Sequence, residues 1–192
     1  LDDSEYFTPT SGLLSSTSGA GQNVNLVDLS TIMYGGTTIN ALHFGPVADN
    51  NGSGGTVQTG TTLTSLTDHH AIILYVDGTL SITSGMISSA YFTIGNTSSL
   101  STQILGGNLD FGAREAIINN QNGFYRTTDA LIGTGNFEIR SNILGSGGLL
   151  KTGLAQVVLD GQNSYSGLTT INDGTLFLRN GRTALGVGGA GN

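Results

Sequence analysis

The sequence predicts an all-β protein whose short strands stack as the successive coils of a β-solenoid. Three observations predict it: a composition of strand and turn residues, motifs that recur along the chain, and apolar pairs that alternate with polar residues. Charged residues make up 10% of the 192 residues, against roughly 25% in ordinary globular proteins, and 31 residues are glycine. Helix formers are scarce, so strands and turns are expected to fill nearly the whole chain.

Two tetrapeptides recur far apart in the chain. The first is Asp77-Gly78-Thr79-Leu80, which returns as Asp173-Gly174-Thr175-Leu176, and the second is Thr37-Thr38-Ile39-Asn40, which returns as Thr169-Thr170-Ile171-Asn172. Alternating apolar residues accompany each copy. Both repeats are therefore interpreted as the same turn and strand used again.

Pairs of apolar residues separated by one position mark the predicted strands. They are Leu42/Phe44, Leu80/Ile82, Leu109/Phe111, Phe137/Ile139, Val157/Leu159 and Leu176/Leu178. A period of two places each pair on one face of its strand. The last three pairs begin at positions 137, 157 and 176, so they are spaced by 20 and 19 residues, which is about one coil of a solenoid. Most pairs are flanked by glycine, which suits the sharp corners of a coil. Residues 1–192 are therefore expected to form a single solenoid segment, less regular over about 1–60.

The repeating unit is clearest over residues 145–181. Odd positions from Gly153 to Ile171 alternate with mainly polar ones, and the phase shifts at Asp173-Gly174, which indicates a corner. A lone coil of this kind cannot bury its apolar face. Stacked coils bury a continuous core and pair every strand with its neighbours.

Segments 147–153, 157–167 and 169–176 closely resemble the autotransporter-associated β-strand repeat, also called the passenger-associated transport repeat. They show its patterns Gly-Gly-Leu, Lys-x-Gly, Leu-x-Gly-x-Asn-x-Tyr-x-Gly, Thr-x-Ile and Gly-x-Leu in that order. Residues 106–112 and 115–118 are similar to the coil that commonly precedes this repeat, and residues 184–186 to its usual exit. One departure is Ala155, where the family prefers glycine and where a methyl group is expected to fit.

The resemblance implies a right-handed parallel β-helix in a large secreted or surface-displayed bacterial protein, and this handedness agrees with the rule for parallel crossovers. It also implies a repeat that serves transport and folding, with no catalytic residues and no cofactor. The net charge of −7, with six Lys and Arg, leaves no basic patch for nucleic acid. No apolar run is long enough to insert into a membrane.

The densest group of metal-ligand residue types is Asp68-His69-His70. On a strand, His69 and His70 would point to opposite faces, which leaves a poor zinc site. A polar loop before the apolar run at 71–74 is the better interpretation. His43 is expected to be an outward strand residue, and no calcium-binding Gly-Gly-x-Gly-x-Asp array is present. No metal site is therefore predicted.

An enzyme that acts on polysaccharides from a β-helix needs acids clustered on one exposed face, usually with Arg, Lys or Ca²⁺. The charged residues that neighbouring coils could bring together are Asp110, Arg114, Glu115, Asp129, Glu138, Arg140 and Lys151. Their dispersion along the chain favours a protein that is not an enzyme, with a polysaccharide-active enzyme as the less favoured alternative. Turn positions before glycine explain the remaining acids considered, Asp77, Asp160 and Asp173.

Amide and aromatic side chains are expected to have structural roles. Asn163 and Asn172 lie at or beside strand ends, where amides can stack on neighbouring coils or bond loop backbone. Core or corner packing is preferred to a sugar-binding platform for the aromatic residues Tyr91, Phe92, Phe124, Tyr125 and Tyr165.

Interior packing is expected to hold adjacent coils together at Val157, Leu159, Leu176 and Leu178, with Val158 as an exposed neighbour. Residues 181–192 carry no charge after Arg182 and no obvious cap, whereas residues 1–5 are acidic. An open C-terminal end is expected to pair with further coils or another subunit.

The function expected from these features is structural: a rod segment of an autotransporter-like protein, extracellular or on the bacterial cell surface, that self-associates into a filament or matrix or continues into further coils. The alternative is an adhesin or glycan-binding module that contacts a host or cell-surface partner through Ser, Thr and Asn on one face.

Overall fold

The computed structural model describes residues 6–7, 13–14, 21–26, 30–34, 36–45, 72–90, 92–94, 101–121, 123–125, 131–181 and 185–186. These residues form strands and turns, and no α-helix occurs among them. In this part of the chain, accordingly, no helix has the length and apolar character needed to cross a membrane.

Twenty-one strands are present in the described residues. They are β1 Tyr6–Phe7, β2 Leu13–Leu14, β3 Asn23–Leu26, β4 Ser30–Tyr34, β5 Thr37–Ile39, β6 Ala41–Phe44, β7 Ile72–Asp77, β8 Thr79–Ile82, β9 Met86–Ser89, β10 Phe92–Ile94, β11 Ser101–Leu105, β12 Asn108–Asp110, β13 Ala116–Asn120, β14 Gly123–Tyr125, β15 Leu131–Thr134, β16 Asn136–Ile139, β17 Asn142–Leu144, β18 Leu149–Thr152, β19 Gln156–Leu159, β20 Thr169–Ile171 and β21 Thr175–Leu178.

Three parallel sheets build the structure, two of seven strands and one of four. Sheet A has the order β1-β3-β6-β9-β13-β18-β20, sheet B the order β2-β4-β7-β11-β16-β19-β21, and sheet C the order β5-β8-β12-β17. From β4 to β18 the chain passes through sheets B, C and A in turn, and strands of these sheets pair in parallel with their equivalents one coil away. The fold is therefore a parallel β-helix, as predicted.

The core lies between the three sheets and is built by the predicted apolar pairs. Both members of the first five pairs are at most 3% exposed, whereas Leu176 and Leu178 are partly buried against the same core. Equivalent residues stack along the axis, as in the sheet A row Leu42, Ile87 and Ile118. The rings of Phe44 and Phe137 meet edge to face at a centroid distance of 5.3 Å and join sheet A to sheet B.

Glycine at a corner is required where two coils approach closely. Gly107 has φ +45°, and a Cβ there would lie 2.5 Å from the backbone oxygen of Gly78 on the preceding coil. The predicted corner at Gly174 is confirmed by its φ of +68°. Ala155 is fully buried, and its N–H donates to the backbone oxygen of Asn120, so the methyl group fits as expected.

The prediction that Val158 is exposed is wrong. Its side chain points outward between Val157 and Leu159, yet it is only 3% exposed. In the sheet B ladder Val158 lies between Glu138 of the preceding coil and Phe177 of the following coil. Neighbouring outward side chains thus bury a residue that does not face the core.

The two repeated tetrapeptides do not occupy equivalent positions, contrary to the prediction. The copy at 77–80 leads into β8 of sheet C, whereas the copy at 173–176 leads into β21 of sheet B. The copy at 37–40 forms β5 of sheet C, whereas that at 169–172 forms β20 of sheet A. Corners in a solenoid place similar demands on the chain, so the same short motif serves at different ones.

Candidate functional site

The corner between sheet A and sheet B carries the largest elaborations of the coil. In successive coils the connection occupies residues 45–71, 90–100 and 121–135, but in the next coil it shrinks to residues 153–155. Two of the long connections contribute β10, β14 and β15, which form a side sheet apart from the three long sheets. Strand β14 pairs in parallel with β10 and antiparallel with β15. Insertions stacked on one edge are typical of the binding side of a repeat protein.

The polar interior of this corner holds the coils in place. The hydroxyl groups of Ser89 and Thr102 lie 3.0 Å apart inside the core. The amide of Asn120, which is fully buried, donates to the backbone oxygens of Gly135 and Gln156. These bonds satisfy the backbone where the long connections leave and re-enter the coil.

No metal centre is found among the residues that the structure describes, since no three His, Asp or Glu side chains there could hold one ion. Asp68, His69 and His70 lie outside those residues. His43 lies on the outer side of β6, half-buried, with its Nδ1 atom 2.7 Å from the Ser88 hydroxyl on the next coil. Burial lowers the pKa of His43.

Lys151 belongs to the core and is unavailable as a surface residue. It stands in the inner row of sheet A and is fully buried. Its ammonium group donates to the backbone oxygens of Thr152 and Asp173, at 2.9 and 2.8 Å, and to that of Gly153. Burial lowers the pKa of Lys151, and the charge of Asp173 partly opposes this shift. Lys151 therefore joins two coils through their backbone oxygens.

Charged residues of three successive coils form an ion cluster on the outer face of sheet B. The Glu138 carboxylate accepts from Arg140 Nε at 3.0 Å and from the guanidinium of Arg179. Asp160 lies 3.8 Å from the first guanidinium and 3.5 Å from the second. The hydrogen bond to Glu138 raises the pKa of Arg140, and the negative charge of Glu138 raises it further. Because each carboxylate is occupied by two cations, the cluster is suited to joining coils.

Sequence reasoning overlooked part of this cluster. It included Glu138 and Arg140 among the candidate charges, but it treated Asp160 as a turn residue and did not consider Arg179. The signal was present: positions 140, 160 and 179 repeat the spacing of the C-terminal coils.

Asp110 and Arg114 meet at a recess on the outer face of sheet C, whereas the neighbouring Glu115 is exposed and does not line it. The recess has a volume of about 270 Å³. Asp129, the remaining candidate acid, lies outside the described residues. The candidates that the structure describes are thus divided among a buried lysine, an ion cluster, a recess and the exposed Glu115 beside it.

Asn163 and Tyr165 have the structural roles that the sequence predicted. The Asn163 amide oxygen accepts from the backbone N–H of Ile143 at 2.7 Å, and the Tyr165 hydroxyl lies 2.6 Å from that of Thr169. Burial raises the pKa of Tyr165, and the bond to Thr169 partly offsets this. Asn172 is exposed. The side chains of Tyr91, Phe92, Phe124 and Tyr125 lie outside the described set. Asp173 caps its corner by accepting from the Gly174 N–H.

Comparisons with known proteins agree with this architecture. The family model of the passenger-associated transport repeat matches residues 149–176, which contain β18 to β20 and Lys151. The chain is also similar to the adhesin BmaC autotransporter of Brucella suis biovar 1 (strain 1330), with 31% identity over 159 residues. The match covers 80% of this chain but only 4% of that relative. No solved structure matches the chain.

Proposed function

We propose that this chain, an autotransporter passenger repeat protein, is a non-enzymatic, rod-like segment of a secreted or surface-exposed passenger that stacks end to end with further coils or with another copy of itself. The exposure of Ile171 carries the proposal. Ile171 pairs with Lys151, which pairs with Ile118, in the inner row of sheet A. The two earlier residues are fully buried, whereas Ile171 is 53% exposed.

Further stacking would bury this end of the row. Strands β20 and β21 are the last described strands of sheets A and B, and a strand of a stacked coil would pair with their backbone groups. Burial of Ile171, together with the partly buried Leu176 and Leu178, contributes about 25 cal/mol for each Å² of apolar surface removed from water. Another coil stacked at this end would therefore be stabilised by the same apolar burial and backbone pairing that hold successive coils together.

Sedimentation velocity at several protein concentrations tests the proposal. We expect the isolated chain to form larger species as its concentration rises and Ile171→Lys to reduce that association. Thr170→Lys, on the exposed outer side of the same strand, is the matched control. Circular dichroism checks that each variant keeps its β-structure. A soluble monomer at every concentration would overturn self-association.

We infer adhesion as a second candidate function, because strands β10, β14 and β15 from two long connections pair at one corner and because the relative BmaC is an adhesin. On this hypothesis the connections contact a glycan or a host surface protein. Replacing residues 121–135 by the short connection 153–155 is expected to abolish binding on a glycan array or to host cells while leaving end-to-end association intact. Unchanged binding would argue against this edge as the adhesive surface.

The enzymatic alternative is tested separately with acidic polysaccharides. We expect no depolymerisation, since Asp110 and Arg114 are separated from the ion cluster and Lys151 is buried. Activity that Asp110→Ala, Arg114→Ala or Glu115→Ala abolishes would instead establish an enzyme.

A further inference from the structure

The recess between β8 and β12 combines polar groups with an apolar floor. Ser81 and Asp110 are paired neighbours that project outward from these two strands, and Arg114 follows on the adjoining turn. Phe111 and Ile82, which are 3% and 1% exposed, contribute the apolar lining. The volume of about 270 Å³ is close to the lower end of small-molecule pockets, roughly 300 Å³.

The turn that carries Asp110 and Arg114 is held in shape by its own hydrogen bonds and by the following coil. Within it, the Gly112 N–H donates to Asp110 Oδ1 at 2.9 Å, and the Arg114 N–H donates to the Phe111 oxygen at 3.0 Å. The following coil donates from Ser146 to the Gly112 oxygen at 2.7 Å. The recess is therefore pre-formed, which lowers the entropic cost of binding.

The charged groups at the recess retain capacity for a ligand. Across the described part of the chain, no residue forms an ion pair or hydrogen bond with the Arg114 guanidinium. Asp110 uses Oδ1 for Gly112, which leaves its other oxygen as an acceptor. Ser81 supplies a hydroxyl that can both donate and accept.

We propose that this recess binds one carboxylate-bearing sugar residue of an acidic glycan. The planar guanidinium of Arg114 suits a carboxylate with two parallel bonds, while Asp110 and Ser81 bond the ring hydroxyls. A sugar acid is favoured over a phosphate for two reasons. The negative charge of Asp110 repels a phosphate dianion more strongly than a carboxylate. The carboxylate of Asp110 also only accepts hydrogen bonds, so the ligand must carry a hydroxyl donor near its acid group.

This site lies on the outer face of sheet C and does not depend on the proposed stacking at Ile171. Isothermal titration of the full chain with trigalacturonate, and with its methyl ester as the uncharged probe, tests it. We expect the acid to bind at least 10-fold more tightly than the ester, because bonds between charged groups are lost in the ester.

Three variants locate the binding. Arg114→Gln is expected to weaken trigalacturonate binding at least 10-fold, and Asp110→Asn several-fold. Glu115→Gln, beside the recess but outside its lining, is expected to leave it unchanged or slightly tighter. No binding up to about 10 mM, equal binding of the ester, or an equal loss in Glu115→Gln would overturn the proposal. Sedimentation of the same variants measures end-to-end stacking separately, so a failure of ligand binding can be told from a failure of stacking.

Discussion

The ammonium group of Lys151 lies 2.8 Å from the backbone oxygen of Asp173, which belongs to the following coil. The same group also bonds the oxygens of Thr152 and Gly153, so one buried side chain ties together the turns of two coils. Both residues fall within the segment that matches the transport repeat. In this chain, the lysine of the Lys-x-Gly pattern therefore links the backbones of two coils.

Lys151→Met is expected to destabilise the C-terminal coils. Methionine nearly preserves the volume of the side chain, but it removes the donor shared by three backbone oxygens. We expect the free energy of unfolding, measured by urea denaturation, to fall by about 1–3 kcal/mol. Unchanged stability would show that burial of the ammonium group costs as much as its three bonds contribute.

Leu159→Asp is expected to unfold at least the C-terminal coils, because it places an unpaired carboxylate in the core at a fully buried position. The expected loss is about 3–5 kcal/mol. Val158→Asp is also expected to destabilise, since it buries a carboxylate beside that of Glu138. Thr170→Asp, on an exposed outer position, is the control. Equal effects of Leu159→Asp and Thr170→Asp in urea denaturation would contradict the assignment of inner and outer faces.

The core was predictable from the sequence, whereas the outer surface was only partly so. Alternation with a period of two identifies inward residues such as Leu159 without knowledge of other coils. The burial of Val158 depends on side chains from two other coils, so its own strand contains no signal. Arg140, Asp160 and Arg179 follow the regular C-terminal spacing and were accessible to reasoning about neighbouring coils.

The recess could not be located in the same way. Ser81 and Asp110 are paired neighbours, but the connection between their coils includes the long corner at 90–100. Variable corner lengths remove any fixed spacing between residues that meet in space. The side sheet of β10, β14 and β15 escaped prediction for a related reason, since its strands lie in the connections and do not follow the coil period.

Glu138→Gln is expected to weaken the ion cluster. The substitution preserves shape and some hydrogen bonding but removes the charge that Arg140 and Arg179 share. Because both arginine side chains are nearly half exposed, we expect a loss of only about 1 kcal/mol in low salt, and less in 1 M NaCl. Urea denaturation at the two salt concentrations measures it. Glu115→Gln is the control, and a loss independent of salt would contradict an electrostatic cause.

His43 is expected to make stability fall as the pH becomes acidic. Burial lowers the folded-state pKa of His43 below its ordinary value of 6.5, so the unfolded chain takes up its proton first. The His43 contribution is therefore complete above pH 6.5 and is lost as the pH falls from 6.5 towards the lowered pKa. His43→Gln should reduce the difference in thermal midpoint between pH 7.5 and pH 5. Parallel pH profiles for the two proteins would refute this.

Gly147→Ala is expected to separate two coils at the Gly-Gly-Leu pattern of the repeat. A Cβ at Gly147 would overlap the backbone oxygen of Arg114 on the preceding coil, so the backbone must shift. Overpacking of this kind costs about 1–3 kcal/mol. Gly36→Ala is the matched control, because nothing lies within 4 Å of a Cβ there. Reduced flexibility of the unfolded chain should leave that variant unchanged or slightly more stable. Urea denaturation compares them, and an equal response would show that close approach does not explain the glycine at 147.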